Sequence, residues 1–180
     1  MIDDLSTMLR RPEAEIGADL HESLRELLGA CFPGYPERSY FKIPPHFRYV
    51  VTDGVVAWAQ LGVEYRVVRV GERVLRTFGV VDLCVRDDRR GDGLAGRLLA
   101  EVTAYARACG MDFVILFADD ERLYRRHGWV PVDNPLTWVK INEHRTIGIG
   151  HAEAPHALMA RPVGPEPWPT GEIDLLGHIF

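Results

Sequence analysis

Three kinds of residue in the run Val81 to Leu99 could do chemistry together. Val81-Asp82-Leu83-Cys84-Val85 reads as an apolar strand interrupted by one acid. Arg86 to Gly93 reads as a charged loop, and Leu94 onward as an amphipathic helix. Gly91 and Gly93 permit backbone conformations and close approaches that a Cβ would obstruct. Ala95 and Gly96 keep the first helical turn slim. The start of such a helix presents N–H groups without internal acceptors and the positive end of a dipole. A strand, a glycine loop and a helix in this order therefore make a phosphate site. Arg86, Arg89 and Arg90 lie beside it and could add charge. The alternative is an ordinary surface turn with two glycines. Gly91, Gly93 and Gly96 have the spacing G-x-G-x-x-G but follow a charged loop, so a dinucleotide site fits badly, and the nucleotide pattern G-K-[ST] is absent.

Asp82 is the second chemical candidate, because an acid in an apolar strand needs a partner or a task. It is either a proton acceptor or a solvent-facing or salt-bridged aspartate. Asp119 and Asp120 are further acids at the top of a later strand, where capping of the next helix is the competing role. The histidines show no metal-type spacing, among them His144, His151 and His156, and no metal is assigned. Cys31, Cys84 and Cys109 are odd in number and widely spaced. They suggest neither a zinc site nor a disulfide framework. Cys84 and Cys109 read most simply as small buried hydrophobes.

The elements that must position these residues follow from periodicity. Leu20, Leu24, Leu27 and Leu28 share a helix face over Asp19 to Leu28, and Gly29 follows as a stop. Cys31 to Pro45 is a loop rich in proline and aromatics (Phe32, Tyr35, Tyr40 and Phe41), either packed over the core or part of a binding wall. Phe47 to Thr52, Val55 to Val70 and Val74 to Val85 read as an antiparallel meander, turned at Asp53-Gly54 and Gly71-Glu72. Leu94 to Cys109 is a helix with a core-facing stripe, ended by Gly110. Phe113 to Phe117 is a strand buried on both faces. Glu121 to His127 is a short helix closed by Gly128, and Trp129-Val130 begins another strand. Trp138 to Ile141 and Ala157 to Arg161 are further strand candidates, and Pro162 to Pro169 is extended. The middle strand–helix–strand unit should form a parallel pair with a right-handed crossover. The expectation is one domain over 1–180: an α/β (α+β) fold with a mixed, mostly antiparallel sheet, a central parallel β-α-β unit and helices on both faces.

The chain has 180 residues, 47% hydrophobic and 26% charged, which excludes disorder as the default. A net charge of -5 argues against a general nucleic-acid binder and is compatible with a cationic substrate. Met1 to Leu5 lacks a basic region followed by an apolar run, so no signal peptide is expected. No apolar stretch is long enough to span a bilayer. The expectation is a cytoplasmic protein.

Arg90-Gly91-Asp92-Gly93-Leu94-Ala95 resembles R/Q-x-x-G-x-G/A, the acyl-CoA signature of the GNAT superfamily of N-acetyltransferases. Val81 to Val85 resembles that family's fourth strand and Phe113 to Phe117 its fifth. Leu123-Tyr124-Arg125-Arg126-His127-Gly128-Trp129 is similar to its second helix motif. The resemblance covers Phe47 to Val132. It implies acetyl-CoA as co-substrate, its pyrophosphate on Arg90, Gly91, Asp92, Gly93, Leu94, Ala95 and Gly96. It implies that the pantetheine arm pairs with Leu83, Cys84 and Val85, whose backbone polarises the thioester carbonyl. Tyr124 matches the tyrosine that protonates the leaving thiolate; otherwise it is a core tyrosine of a short helix. A primary alkylamine, with a pKa of about 10, must lose a proton before it attacks, and Asp82 is the first candidate base. Asp82 to Val85 also resembles the Asp-Leu-x-Val run of some 3-amino-modifying aminoglycoside N-acetyltransferases.

Trp168-Pro169-Thr170-Gly171-Glu172-Ile173-Asp174 resembles the tail of aminoglycoside 2'-N-acetyltransferases and of nodulation N-acyltransferases. By that resemblance Glu172 and Asp174 would clamp a cationic sugar. Alternatively Trp168, Leu175, Leu176, Ile179 and Phe180 simply dock on the core or on a second subunit, which leaves a homodimer open. The expected activity is acetyl transfer from acetyl-CoA to a primary amine of a small molecule, an aminoglycoside or other amino sugar among the candidates. The alternatives are an N-acyltransferase with longer acyl donors, and a catalytically silent coenzyme- or metabolite-binding protein.

Overall fold

Asp53 and Gly54 show how local chemistry builds the first hairpin. The Asp53 carboxylate accepts the N–H groups of Val55 and Val56 at 2.9 and 2.8 Å. Gly54 takes φ +97°, a conformation that most residues avoid. The turn joins strands β2 (Phe47–Thr52) and β3 (Ala57–Val70) as an antiparallel pair. A computed structural model describes residues 7–153 and 157–180. Met1 to Leu5 and His156, both considered above, lie outside the described residues.

The chain divides into two compact units. Unit 1 comprises Met1–Glu64 and Val81–Leu99. In it, β1 (Thr7–Pro12) pairs antiparallel with β2. Helix α1 (Ala18–Cys31) exceeds the predicted Asp19 to Leu28 at both ends. It buries Leu24, Leu27 and Leu28 against Val50, Ala57 and Cys84, with Leu20, Cys31, Phe32 and Tyr35 packed on the same cluster. Each such leucine contributes roughly 2 kcal/mol by leaving water. The aromatic loop is thus in part a core element. Unit 1 also holds the first part of β3, the end of β4 (Arg73–Val85) and the start of α2 (Leu94–Ala108).

Unit 2 comprises Tyr65–Val80 and Ala100–Phe180. Its further elements are β5 (Phe113–Phe117), α3 (Arg122–Arg126), β6 (Val130–Pro131), β7 (Leu136–Asn142), β8 (Arg145–Ala152), β9 (Leu158–Pro162) and β10 (Ile173–His178). The strand order is β6-β9-β5-β4-β3-β10-β7-β8. β4 and β5 are parallel, from Thr77 opposite Phe113 to Val80 opposite Leu116, as the crossover through α2 requires. β5 pairs antiparallel with β9, and β10 lies between β3 and β7, antiparallel to the former and parallel to the latter. The mixed sheet matches the fold class expected above. The core of this unit joins Val68, Leu75, Phe113, Ile115, Leu136, Leu158 and Ile173.

Three strands escape the sequence reading: β1, β8 and β10. β8 is largely exposed, and its only large apolar residues, Ile147 and Ile149, are separated by glycines, too short an alternation to read as a strand. β10 contains Leu176 at φ +49°, which breaks its period. Cys109 is also corrected: α2 ends at Ala108, and this thiol is exposed rather than buried.

Candidate functional site

The loop predicted to hold phosphate is built from unit 1 residues alone. Gly91 and Gly93 have φ +92° and +77°. A Cβ at either would meet nothing within 4 Å, so the space above this backbone is open. Gly93 is the cap of α2: its carbonyl accepts the Arg97 N–H at 3.1 Å. The N–H groups of Leu94, Ala95 and Gly96 then fall in the first turn, where a helix has no internal acceptors.

The arginines of this loop do not stand as loose cations. Arg90 pairs with Asp87 at 2.8 Å, Arg86 with Asp88 at 2.5 Å and Arg89 with Asp92 at 3.2 Å. Arg86 and Arg89 also lie over the Trp58 ring, 4.6 and 4.4 Å from its centre. Attraction for an anion therefore falls mainly on the backbone N–H groups and the helix dipole.

At the end of β4, Asp82 sits in left-handed backbone at φ +52°, unusual in a strand and more tolerable for aspartate than for most residues. Its carboxylate accepts the Tyr35 hydroxyl at 2.6 Å. Its carbonyl accepts the Gln60 side-chain amide. Gln60 in turn accepts Arg48 Nη1 at 3.0 Å. Arg48 is fully buried, held also by Glu13 at 2.7 Å and by the Ser39 carbonyl at 2.6 Å. Burial raises the Asp82 pKa above the ordinary carboxylate value, only partly opposed by the Tyr35 hydrogen bond and by the charges of Arg48 and Lys42. Burial likewise raises the Tyr35 pKa, with Asp82 adding to the effect. Asp82 is thus a carboxylate that gains a proton more readily than an exposed one, held in one orientation by a phenol.

Leu83 and Val85 are half-buried and Cys84 is buried. The Arg86 N–H bonds the Trp58 carbonyl at 2.8 Å, which ties this end of β4 to the start of β3. Sequence reasoning missed Tyr35, Gln60 and Arg48. Tyr35 was legible only as part of an aromatic loop; nothing local linked it to Asp82.

Unit 2 holds the other candidates. Tyr124 lies in α3, half-buried, its ring edge-on to Trp129 at 6.0 Å. Burial raises its pKa, with Asp119 and Asp120 adding repulsion, so it keeps its proton at neutral pH. Asp120 accepts the Arg122 N–H at 3.0 Å and pairs with the Arg122 guanidinium at 2.6 Å, one residue before the α3 cap position, which is Glu121 and not Asp119 or Asp120.

Glu172 accepts the Thr137 hydroxyl at 2.6 Å and lies 3.8 Å from His151. Asp174 lies 3.8 Å from Arg69. Both acids stand at the start of β10, among the partners of the sheet. Trp168 packs edge-on to Phe113 at 4.9 Å and donates to Asn134 at 3.0 Å. Gly171 is required there: a Cβ would come within 2.7 Å of Gly71 Cα. Among the described residues, no group of three or more His, Cys, Asp or Glu is arranged to hold a metal. No helix among them is long and apolar enough to cross a membrane.

A family model described as an acetyltransferase (GNAT) domain matches residues 16–132. No curated protein matches the chain. Among solved structures, the chain is similar to a GNAT family N-acetyltransferase (YhbS) from Escherichia coli in complex with CoA. The TM-score is 0.64 at 21% identity, over 97% of this chain and 93% of that one. It is also similar to a GNAT family acetyltransferase from Brucella melitensis in complex with acetyl-CoA, with a TM-score of 0.61 at 19% identity, over 93% and 94%. An acyl-CoA N-acyltransferase from Pseudomonas aeruginosa gives a TM-score of 0.56 at 17% identity, over 72% and 91%.

Proposed function

Because this chain belongs to the GNAT family of acetyltransferases, we propose that it transfers the acetyl group of acetyl-CoA directly to a primary amine of a small molecule. The observation that carries the reading is the open, left-handed glycine loop running into the first turn of α2. Its geometry suits a pyrophosphate: backbone N–H groups converge where no Cβ intrudes, and the neighbouring arginines are neutralised by their own acids.

The donor supplies an acetyl group activated as a thioester. Arg90 to Gly96 hold its phosphates through backbone N–H groups. Leu83, Cys84 and Val85 hold the pantetheine arm along the end of β4, and a backbone N–H there polarises the carbonyl oxygen. Asp82 takes the proton of the incoming ammonium, directly or through one water, so that the neutral amine attacks. Its raised pKa supports that role, because a carboxylate lifted above its ordinary value is a stronger base. Tyr124 keeps its hydroxyl proton and gives it to the departing thiolate. The assignment of Tyr124 rests on its sequence motif and on its burial.

The narrower acceptor reading is an amino sugar such as an aminoglycoside, with Glu172 and Asp174 at the amine-rich end. It rests on the tail resemblance alone. A cytoplasmic location is part of the proposal, and a homodimer formed through the tail is the alternative to the amino-sugar role of Glu172 and Asp174.

Calorimetry with acetyl-CoA, followed by turnover on a panel of amines that includes amino sugars and simple alkylamines, tests the proposal. Micromolar to millimolar coenzyme binding with acetylation of at least one amine is expected. No binding at millimolar coenzyme would overturn it. Binding without turnover on any amine would favour the silent coenzyme-binding alternative, and faster transfer of longer acyl groups the N-acyltransferase one.

A further inference from the structure

The thiols of Cys31 and Cys84 have no part in proton transfer, and donor binding uses only the backbone of Cys84. Cys31 is the last residue of α1 and Cys84 lies in β4, both within unit 1. Cys84 belongs to the buried cluster beneath α1, and Cys31 packs against that cluster. The Cys31 thiol donates to the Val85 carbonyl at 3.5 Å, one residue beyond Cys84. The Cys31 thiol thus sits against the backbone next to Cys84, on the same buried cluster.

Their environments differ in a useful way. Cys31 is half-exposed and Cys84 buried, so a reagent from solvent meets Cys31 first. The neighbouring Cys84 thiol, aided by the Arg90 charge and opposed by burial, brings the Cys31 thiol down to about 7. The neighbouring Cys31 thiol and burial push the Cys84 thiol up. Cys31 therefore carries thiolate near neutral pH, and Cys84 holds its proton. A thiolate at the surface beside a buried thiol is the arrangement in which one attacks and the other resolves.

We propose that Cys31 and Cys84 are a thiol–disulfide site, closed by a small-molecule disulfide such as glutathione disulfide, and that closure removes Leu83 to Val85 from use by acyl-CoA. The second half rests on the donor placement given under Proposed function. The Cys31 thiolate attacks one sulfur of glutathione disulfide; that S–S bond breaks and one glutathione leaves as thiolate. Cys84 releases its proton to solvent and attacks the Cys31 sulfur of the mixed disulfide, expelling the second glutathione. Two protein thiols are oxidised and one glutathione disulfide is reduced to two glutathiones. An S–S bond of about 2 Å is much shorter than any non-bonded contact between two sulfurs, so Cys84 and its backbone must be drawn toward the end of α1. In a reducing compartment such a bond is transient and responds to redox state.

Intact mass, peptide mapping and acetyl-CoA calorimetry on the full chain, reduced and after glutathione disulfide, test this. The oxidised chain is expected to lose two hydrogens, to map a Cys31–Cys84 linkage and to bind acetyl-CoA about tenfold or more weakly, with recovery under reductant. Cys84→Ser should stop at the glutathione adduct of Cys31. Cys31→Ser should form no internal bond and keep its affinity through oxidation, and Cys109→Ser should behave as the unaltered chain does. Absence of the Cys31–Cys84 linkage would overturn the site. Linkage with unchanged affinity would overturn its effect on the donor. If the reduced chain fails to bind acetyl-CoA at all, the donor reading falls instead, while the mass data still decide the thiol pair.

Discussion

Tyr35 donates its hydroxyl to the Asp82 carboxylate at 2.6 Å, across 47 residues of sequence. The bond turns one acid of an apolar strand into an oriented group. It also favours the ionised form, against the burial that raises the pKa of Asp82.

Tyr35→Phe removes that bond. The Asp82 pKa should then rise further, and the acid limb of the pH profile of kcat/KM should move to higher pH. Turnover at neutral pH should fall by about tenfold or less, since the base itself remains. A pH–rate series checks it. An unmoved acid limb with a lowered Tm would make Tyr35 a structural residue only.

Asp82→Asn should separate activity from stability. Losing the base should lower kcat by roughly 100-fold or more. Because burial raises the folded-state pKa above that of the unfolded chain, the folded state binds more protons between the two values. Stability therefore falls as pH rises through that window, and the loss persists above it. Asparagine removes the charge, still accepts from Tyr35 and tolerates φ +52°. Its Tm should equal or exceed that of the unaltered chain at neutral pH, with the difference shrinking toward acid pH. A thermal melt series reads this directly; a large drop in Tm at neutral pH would contradict it.

Tyr124→Phe should slow turnover by about tenfold to 100-fold while leaving the acetyl-CoA Kd nearly unchanged. Equal turnover would remove the tyrosine from the mechanism, and a matching loss of affinity would make its role packing against Trp129.

Gly93→Ala places a methyl group in open space but forces a left-handed conformation on alanine, at a cost of about 1 kcal/mol. If phosphates lie on this backbone, acetyl-CoA affinity should fall by about tenfold or more, beyond what that strain does to Tm. Paired calorimetry and melts separate the two effects.

Glu13→Ala should destabilise the fold by about 3 kcal/mol, because it leaves the fully buried Arg48 guanidinium without its carboxylate. Urea unfolding measures the change. A loss below 1 kcal/mol, within the range of exposed pairs, would mean that Gln60 and the Ser39 carbonyl suffice for Arg48.

Much of the fold was legible because its signals are local. Phe47 to Thr52 and Phe113 to Phe117 are strands over those very residues, since apolar runs bounded by turn residues carry their own ends. β8 was illegible because this exposed edge strand offers only Ile147 and Ile149, set among glycines, as an apolar signal. β10 was missed because its place between β3 and β7 is set by partners from distant parts of the chain. Cys109 was misread by one residue: the helical stripe continued in the sequence after the helix itself had stopped at Ala108.

The sequence by itself determined the glycine loop and the helix after it, and with them the family. A helix start, its free N–H groups and two left-handed glycines all lie within one short stretch, so no distant contact is needed to make them. Only the tertiary structure decided what surrounds Asp82 and Cys84. Tyr35, Gln60, Arg48 and Cys31 reach that end of β4 because α1, the aromatic loop and β2 close around it. A hydrogen bond between residues so far apart in sequence exists only once burial has brought them together, and burial is also what shifts their proton affinities.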